Sequence, residues 1–184
     1  MSRPRWCLNV ALVLVLAALA GCSGPAGAPA ATNGIQVFAV ADRKPAPDLS
    51  GDLLDGSSFD SASHAGDVLV VNFWAQWCAP CVAEASDLEA TYQATKASKV
   101  FFLGINTRDE RDKAKSFLVG RATYPSLFDP AGRLALGFSV VPSAIPSTVI
   151  IDRQGRIAAI TRQSIQRSEL EPVVSQLAAE PRSA

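Results

Sequence analysis

The chain has 184 residues, with 17 basic and 17 acidic side chains and a hydrophobic content of 48%. That length suits one ordinary globular domain and leaves little room for a second. The balanced charge gives no reason to expect nucleic acid as a partner, and the apolar content is enough for a well-buried core.

The N-terminus is separate from the fold. Arg3 and Arg5 precede an apolar run of 13 residues, LNVALVLVLAALA (Leu8 to Ala20), interrupted only by Asn9. The run is too short to span a bilayer as a helix and has the shape of a secretory signal. It closes on LAGC, Leu19 to Cys22. This resembles the bacterial lipoprotein signal, in which the cysteine takes lipid and becomes the new N-terminus. The resemblance makes residues 1–22 a signal peptide and Cys22 a lipidation site. It puts the domain outside the cytoplasm, anchored to the bacterial cell membrane by lipid. A retained, uncleaved anchor is the alternative. Cys7 leaves with the signal. So do Arg3 and Arg5, so 15 basic residues face 17 acidic ones and the net charge becomes −2. Residues 23–36 open with SGPAGAPAATN, which lacks hydrophobic periodicity and is rich in Gly, Pro and Ala. They are expected to form a flexible tether to a domain over residues 37–184.

Within the domain, APDLSGDLLDGSSFD (Ala46 to Asp60) places short apolar stretches around Asp55-Gly56, a hairpin signal. VLVVNFW (Val68 to Trp74) is an apolar run, Asn72 apart, and suits a strand covered on both faces. From Cys81 to about Lys96, Val82, Ala85, Leu88 and Tyr92 recur at helical spacing. VFFLGIN (Val100 to Asn106) is a second buried strand. RDERDKAKSFLVG (Arg108 to Gly120) is a charged amphipathic helix stopped by glycine. YPSLFD is a short extended piece and AGRLALGF a helical turn. IPSTVIID (Ile145 to Asp152) and RIAAIT (Arg156 to Thr161) make an antiparallel hairpin. SELEPVVSQLA (Ser168 to Ala178) is a final helix, with Ser168 and Glu171 at capping-box spacing. The order is an α/β one, with a parallel half and an antiparallel half.

The chemistry lies in WAQWCAPC, Trp74 to Cys81. Of four cysteines in the chain, only Cys78 and Cys81 remain as thiols after processing. A disulfide between them closes so short a loop that it restricts the unfolded chain little. In an oxidising compartment the pair is therefore better explained by reactivity than by stability. A strand runs into Cys78 and a helix follows it. Cys78 is thus expected at the helix N-terminus, exposed, where unpaired N–H groups favour a thiolate. Cys81 falls three residues on, in the first turn and facing inward. Pro80 suits an early helical position. Cys78 can then attack a partner disulfide and Cys81 can resolve the mixed disulfide. One histidine, His64, and no further thiol make a four-ligand zinc site improbable, so no metal and no cofactor are expected. Two thiols still offer soft ligands for Cu(I), which keeps a copper chaperone as the non-enzyme alternative.

VVNFWAQWCAPC resembles the active-site segment of thioredoxin-fold proteins. APDL, a hairpin and VNFWAQWCAPCVAE together are similar to the TlpA/ResA group of extracytoplasmic thiol–disulfide oxidoreductases, over about residues 40 to 178. The resemblance implies a thioredoxin-like fold: a mixed sheet of four or five strands flanked by helices. It also implies an N-terminal β-hairpin and an insertion between the second and third core strands, filled by residues 108–139. The family's cis-proline matches Pro146. The backbone of Ile145 before it would pair with an extended partner segment. Pro142 is the rival position. Thioredoxins carry an aspartate where this chain has Asn72. The TlpA/ResA group has asparagine there and a glutamate three residues after the second cysteine, the place of Glu84. That carboxylate would shuttle the proton when Cys81 becomes a nucleophile, although an exposed helix glutamate is the plainer expectation. Trp74 is read as packing, Trp77 as a partner-facing surface and His64 as a loop residue.

By resemblance the protein is a monomeric reductase in the style of cytochrome c maturation proteins. Its substrate would be an apocytochrome c or another secreted thiol protein, and its electrons would come from a membrane protein. A thiol peroxidase shares the fold, but NFWAQWCAPC lacks the threonine–proline arrangement of a peroxidatic cysteine. Ala79 and Pro80 bring neither charge nor donor. A poise nearer thioredoxin's roughly −270 mV than DsbA's roughly −120 mV is therefore expected.

Overall fold

The structure, a computed structural model, describes residues 30–32, 34–141 and 143–181. The expected signal segment, with Cys7 and Cys22, and the rival Pro142 lie outside the described residues. Strand structure begins within the span expected to be a tether. Ala30–Thr32 (β1) and Ile35–Val37 (β2) pair antiparallel, with Gly34 at φ 81° between them. Ile35 is buried, so this segment carries an apolar anchor that its Gly/Pro/Ala-rich start conceals. The hairpin expected around Asp55-Gly56 consists of Ser50–Asp52 (β3) and Ser58–Asp60 (β4) and forms its own sheet. Its turn is fixed by the Asp55 carboxylate, which accepts from the Ser57 N–H at 2.9 Å.

Val68–Trp74 (β5) leads into Ala79–Thr95 (α1), then Val100–Thr107 (β6), Arg111–Leu118 (α2), Ser126–Asp129 (β7) and Arg133–Gly137 (α3). Ser147–Ile151 (β8), Ile157–Thr161 (β9) and Arg167–Ala179 (α4) complete the chain. The main sheet has seven strands in the order β1-β2-β9-β8-β5-β6-β7, rather than the four or five expected. The surplus comes from the β1–β2 hairpin at one edge and β7 at the other. β5, β6 and β7 are parallel, and β8 and β9 run antiparallel. The last helix is capped two residues earlier than Ser168 suggests. Gln166 and Glu169 exchange the capping-box bonds, because the chain leaves extended geometry at Gln166.

β5 is buried along its whole length because both faces are covered. Val68 and Val70, with Phe102 and Ile150, lie under Leu88 of α1 and Leu170, Val174 and Leu177 of α4. Leu69, Val71 and Phe73 meet Leu49, Phe59 and Phe138 on the other side. Because β8 is antiparallel to β5 and pairs Ser147 with Phe73, the end of β5 and the start of β8 meet at one end of the sheet. That register brings the cysteine segment to the Ile145-Pro146 segment. At the opposite end, the Arg43 guanidinium bonds Asp152 at 3.0 Å and Glu180 at 2.6 and 2.7 Å, and Asp152 also accepts from Arg156. This ion cluster joins the start of the domain, the β8–β9 turn and the end of α4. Burial pushes the Asp152 carboxyl up, but bonds from Arg156 and Arg43 outweigh it and hold the group below the usual carboxylate range.

Candidate active site

Cys78 is the N-cap of α1, with Pro80 in the first turn. It forms a disulfide with Cys81, and its Sγ accepts from the Cys81 N–H at 3.3 Å. The same Sγ lies 3.7 Å from the Ile145 carbonyl oxygen, and the Ile145–Pro146 peptide is cis. Against expectation, Cys78 is no more exposed than Cys81 in this disulfide form, at 4% and 3%. The pair sits in a small apolar cluster with Leu54, Trp74, Ala75 and Ala114, to which Ile145 adds its side chain. Sequence spacing places Cys78 at the helix end but does not show that α2 and the β3–β4 turn close over it.

The flanking tryptophans divide the work. Trp74 is buried, and its indole N–H donates to Ser126 Oγ at 2.9 Å. Trp77 is 51% exposed, and its N–H donates to the Arg108 carbonyl at 2.9 Å. Sequence reasoning missed the loop at Arg108 that receives the Trp77 contact. The Asp109 carboxylate accepts from the Gln76 N–H at 2.7 Å and from the Asn106 amide at 2.9 Å. Arg108 holds a left-handed φ of 53° between them. The only sequence hint is a polar turn, NTRDE, directly after an apolar strand.

Glu84 is not an exposed helix glutamate. It is 1% exposed, on the inner face of α1 one turn beyond Cys81. One carboxylate oxygen accepts from the Asn72 amide at 2.9 Å and the other from the Ile165 N–H at 3.0 Å. Burial pushes its pKa up to about 7, against the opposing pull of the Asn72 and Ile165 bonds, and the nearby Asp87 charge adds to the rise. A buried acid that titrates near neutrality can hold or release a proton at working pH. His64 lies elsewhere, in a 3-10 turn, stacked on Phe101 with ring centroids 3.7 Å apart. No helix among the described residues is long and apolar enough to cross a membrane.

A family model described as "AhpC/TSA family" matches residues 43–160. The chain belongs to this family. The chain is 34% identical over 100 residues to the thiol:disulfide interchange protein HelX of Rhodobacter capsulatus, covering 53% of each chain. It thus spans about half the length of that relative. It is 26% identical over 172 residues to the thiol-disulfide oxidoreductase ResA of Geobacillus kaustophilus, covering 92% of this chain and 94% of that one. A solved structure of a secreted thiol-disulfide isomerase from Corynebacterium glutamicum superposes with a TM-score of 0.75 at 31% identity. It covers 84% of this chain and 99% of that one. The TlpA/ResA-like resemblance and the thioredoxin-like fold expected from the sequence are both borne out.

Proposed function

We propose that this AhpC/TSA-family chain is an extracytoplasmic thiol–disulfide oxidoreductase, tethered by lipid on Cys22 and working as a reductase of protein disulfides. The observation that carries the reading is the Cys78–Cys81 disulfide at the N-terminus of α1, facing the Ile145 carbonyl. In the reduced protein the Cys78 thiolate attacks one sulfur of a substrate disulfide and releases the other as a thiolate. Cys81 gives its proton to Glu84 and attacks Cys78 Sγ. The second substrate thiolate leaves, and the Cys78–Cys81 disulfide remains. Two electrons from a membrane thiol donor restore the dithiol. Trp77 and the Ile145–Pro146 segment receive the substrate chain, which is an apocytochrome c or another secreted thiol protein. The names of HelX and ResA support interchange chemistry. The neutral Ala79-Pro80 pair supports the reducing direction.

Two measurements test this. Cys81→Ser should trap substrates as mixed disulfides on Cys78. Equilibration against a dithiothreitol or glutathione series, read by Trp74 and Trp77 fluorescence, should give a potential near thioredoxin's. A value above about −180 mV, that of protein disulfide isomerase, makes the protein an oxidant or isomerase instead.

A further inference from the structure

One row of the sheet breaks the pattern of the core. Asn72 on β5 pairs with Thr148 on β8, and Thr148 pairs with Thr161 on β9. Directly paired residues point to the same face. All three are buried, on the face that carries α1 and α4, beside Val70 and Ile150. A polar side chain buried among such neighbours costs free energy unless its hydrogen bonds are met. An apolar residue at position 72 would simply extend the core.

The bonds of Asn72 show what the amide is for. Its Nδ2 donates to Glu84 Oε1 at 2.9 Å and to Thr148 Oγ1 at 3.1 Å. Both amide hydrogens are therefore committed, one to the carboxylate and one to a brace on the strand that begins after Pro146. An ionised carboxylate oxygen can only accept, so the amide must present its nitrogen to it. Unlike an aspartate, the asparagine cannot take the proton itself.

We infer that Asn72 is a positioning residue for the exchange reaction. Braced by Thr148, its amide fixes the Glu84 carboxylate beside the Cys81 turn and favours the ionised form that can accept the Cys81 proton. This rests on the proton-acceptor role proposed above for Glu84. In the disulfide form the titratable groups that Glu84 faces are Asp87 on its own helix and Tyr124 ahead of β7, joined by the Cys81 thiol on reduction, and none is a cation. The donors from Asn72 and the Ile165 N–H are thus what opposes burial. A hydrogen bond to a charged group is among the stronger ones. Its loss should be read directly as a rise in the Glu84 midpoint.

The test is an NMR titration of the Glu84 side-chain carboxyl in oxidised, carbon-13-labelled protein, alongside the pH profile of Cys81 attack on a Cys78 mixed disulfide. Asn72→Leu keeps the bulk and removes the donor. It should raise the Glu84 midpoint by roughly one pKa unit or more and carry the exchange profile with it. Thr148→Val leaves the amide in place without its brace, and should move both in the same direction by less. It also decides the matter if the leucine variant does not fold. In a Glu84→Gln background, Asn72→Leu should leave the exchange profile unmoved. A Glu84 midpoint unchanged in both folded variants overturns the inference, whatever the exchange rates do. An exchange profile that ignores Glu84→Gln overturns the proton-acceptor reading instead.

Discussion

Replacing Glu84 by glutamine should remove a slope from the pH dependence of folding. Glu84 has an ordinary value near 4.5 and is raised by burial to about 7 in the folded protein. Between those values the folded state keeps a proton that the unfolded chain has released. Folding takes up a proton there, and stability falls as pH rises through the window. A shift from 4.5 to about 7, at about 1.4 kcal/mol per unit, corresponds to a decline of about 3 kcal/mol. Glutamine resembles the protonated acid and does not titrate. It also has one acceptor oxygen where the carboxylate has two, so either Asn72 or Ile165 loses its partner, at about 1–3 kcal/mol. That cost is the same at every pH. Urea unfolding of both oxidised proteins from pH 4.5 to 8.5, followed by tryptophan fluorescence, separates the two contributions. The oxidised form keeps the cysteines out of the titration. The wild-type advantage should shrink or reverse as pH rises. Two curves that stay parallel from pH 5 to 8 would refute the account, because they would mean Glu84 does not change its proton affinity on folding.

Gly104→Ala should disturb the floor of the cysteine site, because its Cβ would stand 2.5 Å from Ser126 Oγ and 2.8 Å from Trp74 Nε1. A loss of about 1–3 kcal/mol and altered Trp74 emission are expected, readable together in one chemical denaturation. Arg43→Met leaves the buried Asp152 carboxylate with Arg156 as its one cationic partner and should cost about 3 kcal/mol in a thermal or urea melt at neutral pH. Cys22→Ser, expressed in a bacterial host that processes lipoproteins, should give soluble or unprocessed protein, and fractionation with mass spectrometry checks both outcomes. A variant with wild-type mass and membrane distribution would remove the lipid from the proposal.

The parts of the fold that read clearly were those with one dominant local cause. VLVVNFW is apolar at every position but Asn72 because two layers cover it, and the cysteine pair follows at the strand-to-helix junction. Gly120 ends a charged helical pattern, and Asp55-Gly56 marks a turn. The parts that did not read depend on distant partners. Ile35 follows a Gly/Pro/Ala-rich stretch, and only distant elements such as β9 and α4 give it a core to bury in. A glutamate on a helix is usually solvated. Glu84 is buried because Asn72, 12 positions earlier, and Ile165, 81 positions later, each bring a donor to it. The burial of Cys78 likewise depends on Ala114 and Leu54, which the chain delivers from other elements. Pro146 was legible from the strand that follows it. The loop at Asp109 that steadies Gln76 was not, since nothing in an acidic turn names the donor it will meet.

β1 sets the direction from which the chain enters the sheet. It starts at Ala30, opposite Val37, which is paired to Ala159 and through Ile150 to Val70, and it runs toward the cysteine end. Eight positions separate Cys22 from Ala30, and fully extended they reach about 27 Å. With lipid on Cys22, this short leash would hold the Arg43–Asp152 end of the sheet near the bilayer and turn the disulfide outward. The pair would then work at a fixed height above the membrane, against soluble chains arriving from the far side. A membrane donor would need a domain tall enough to meet it there.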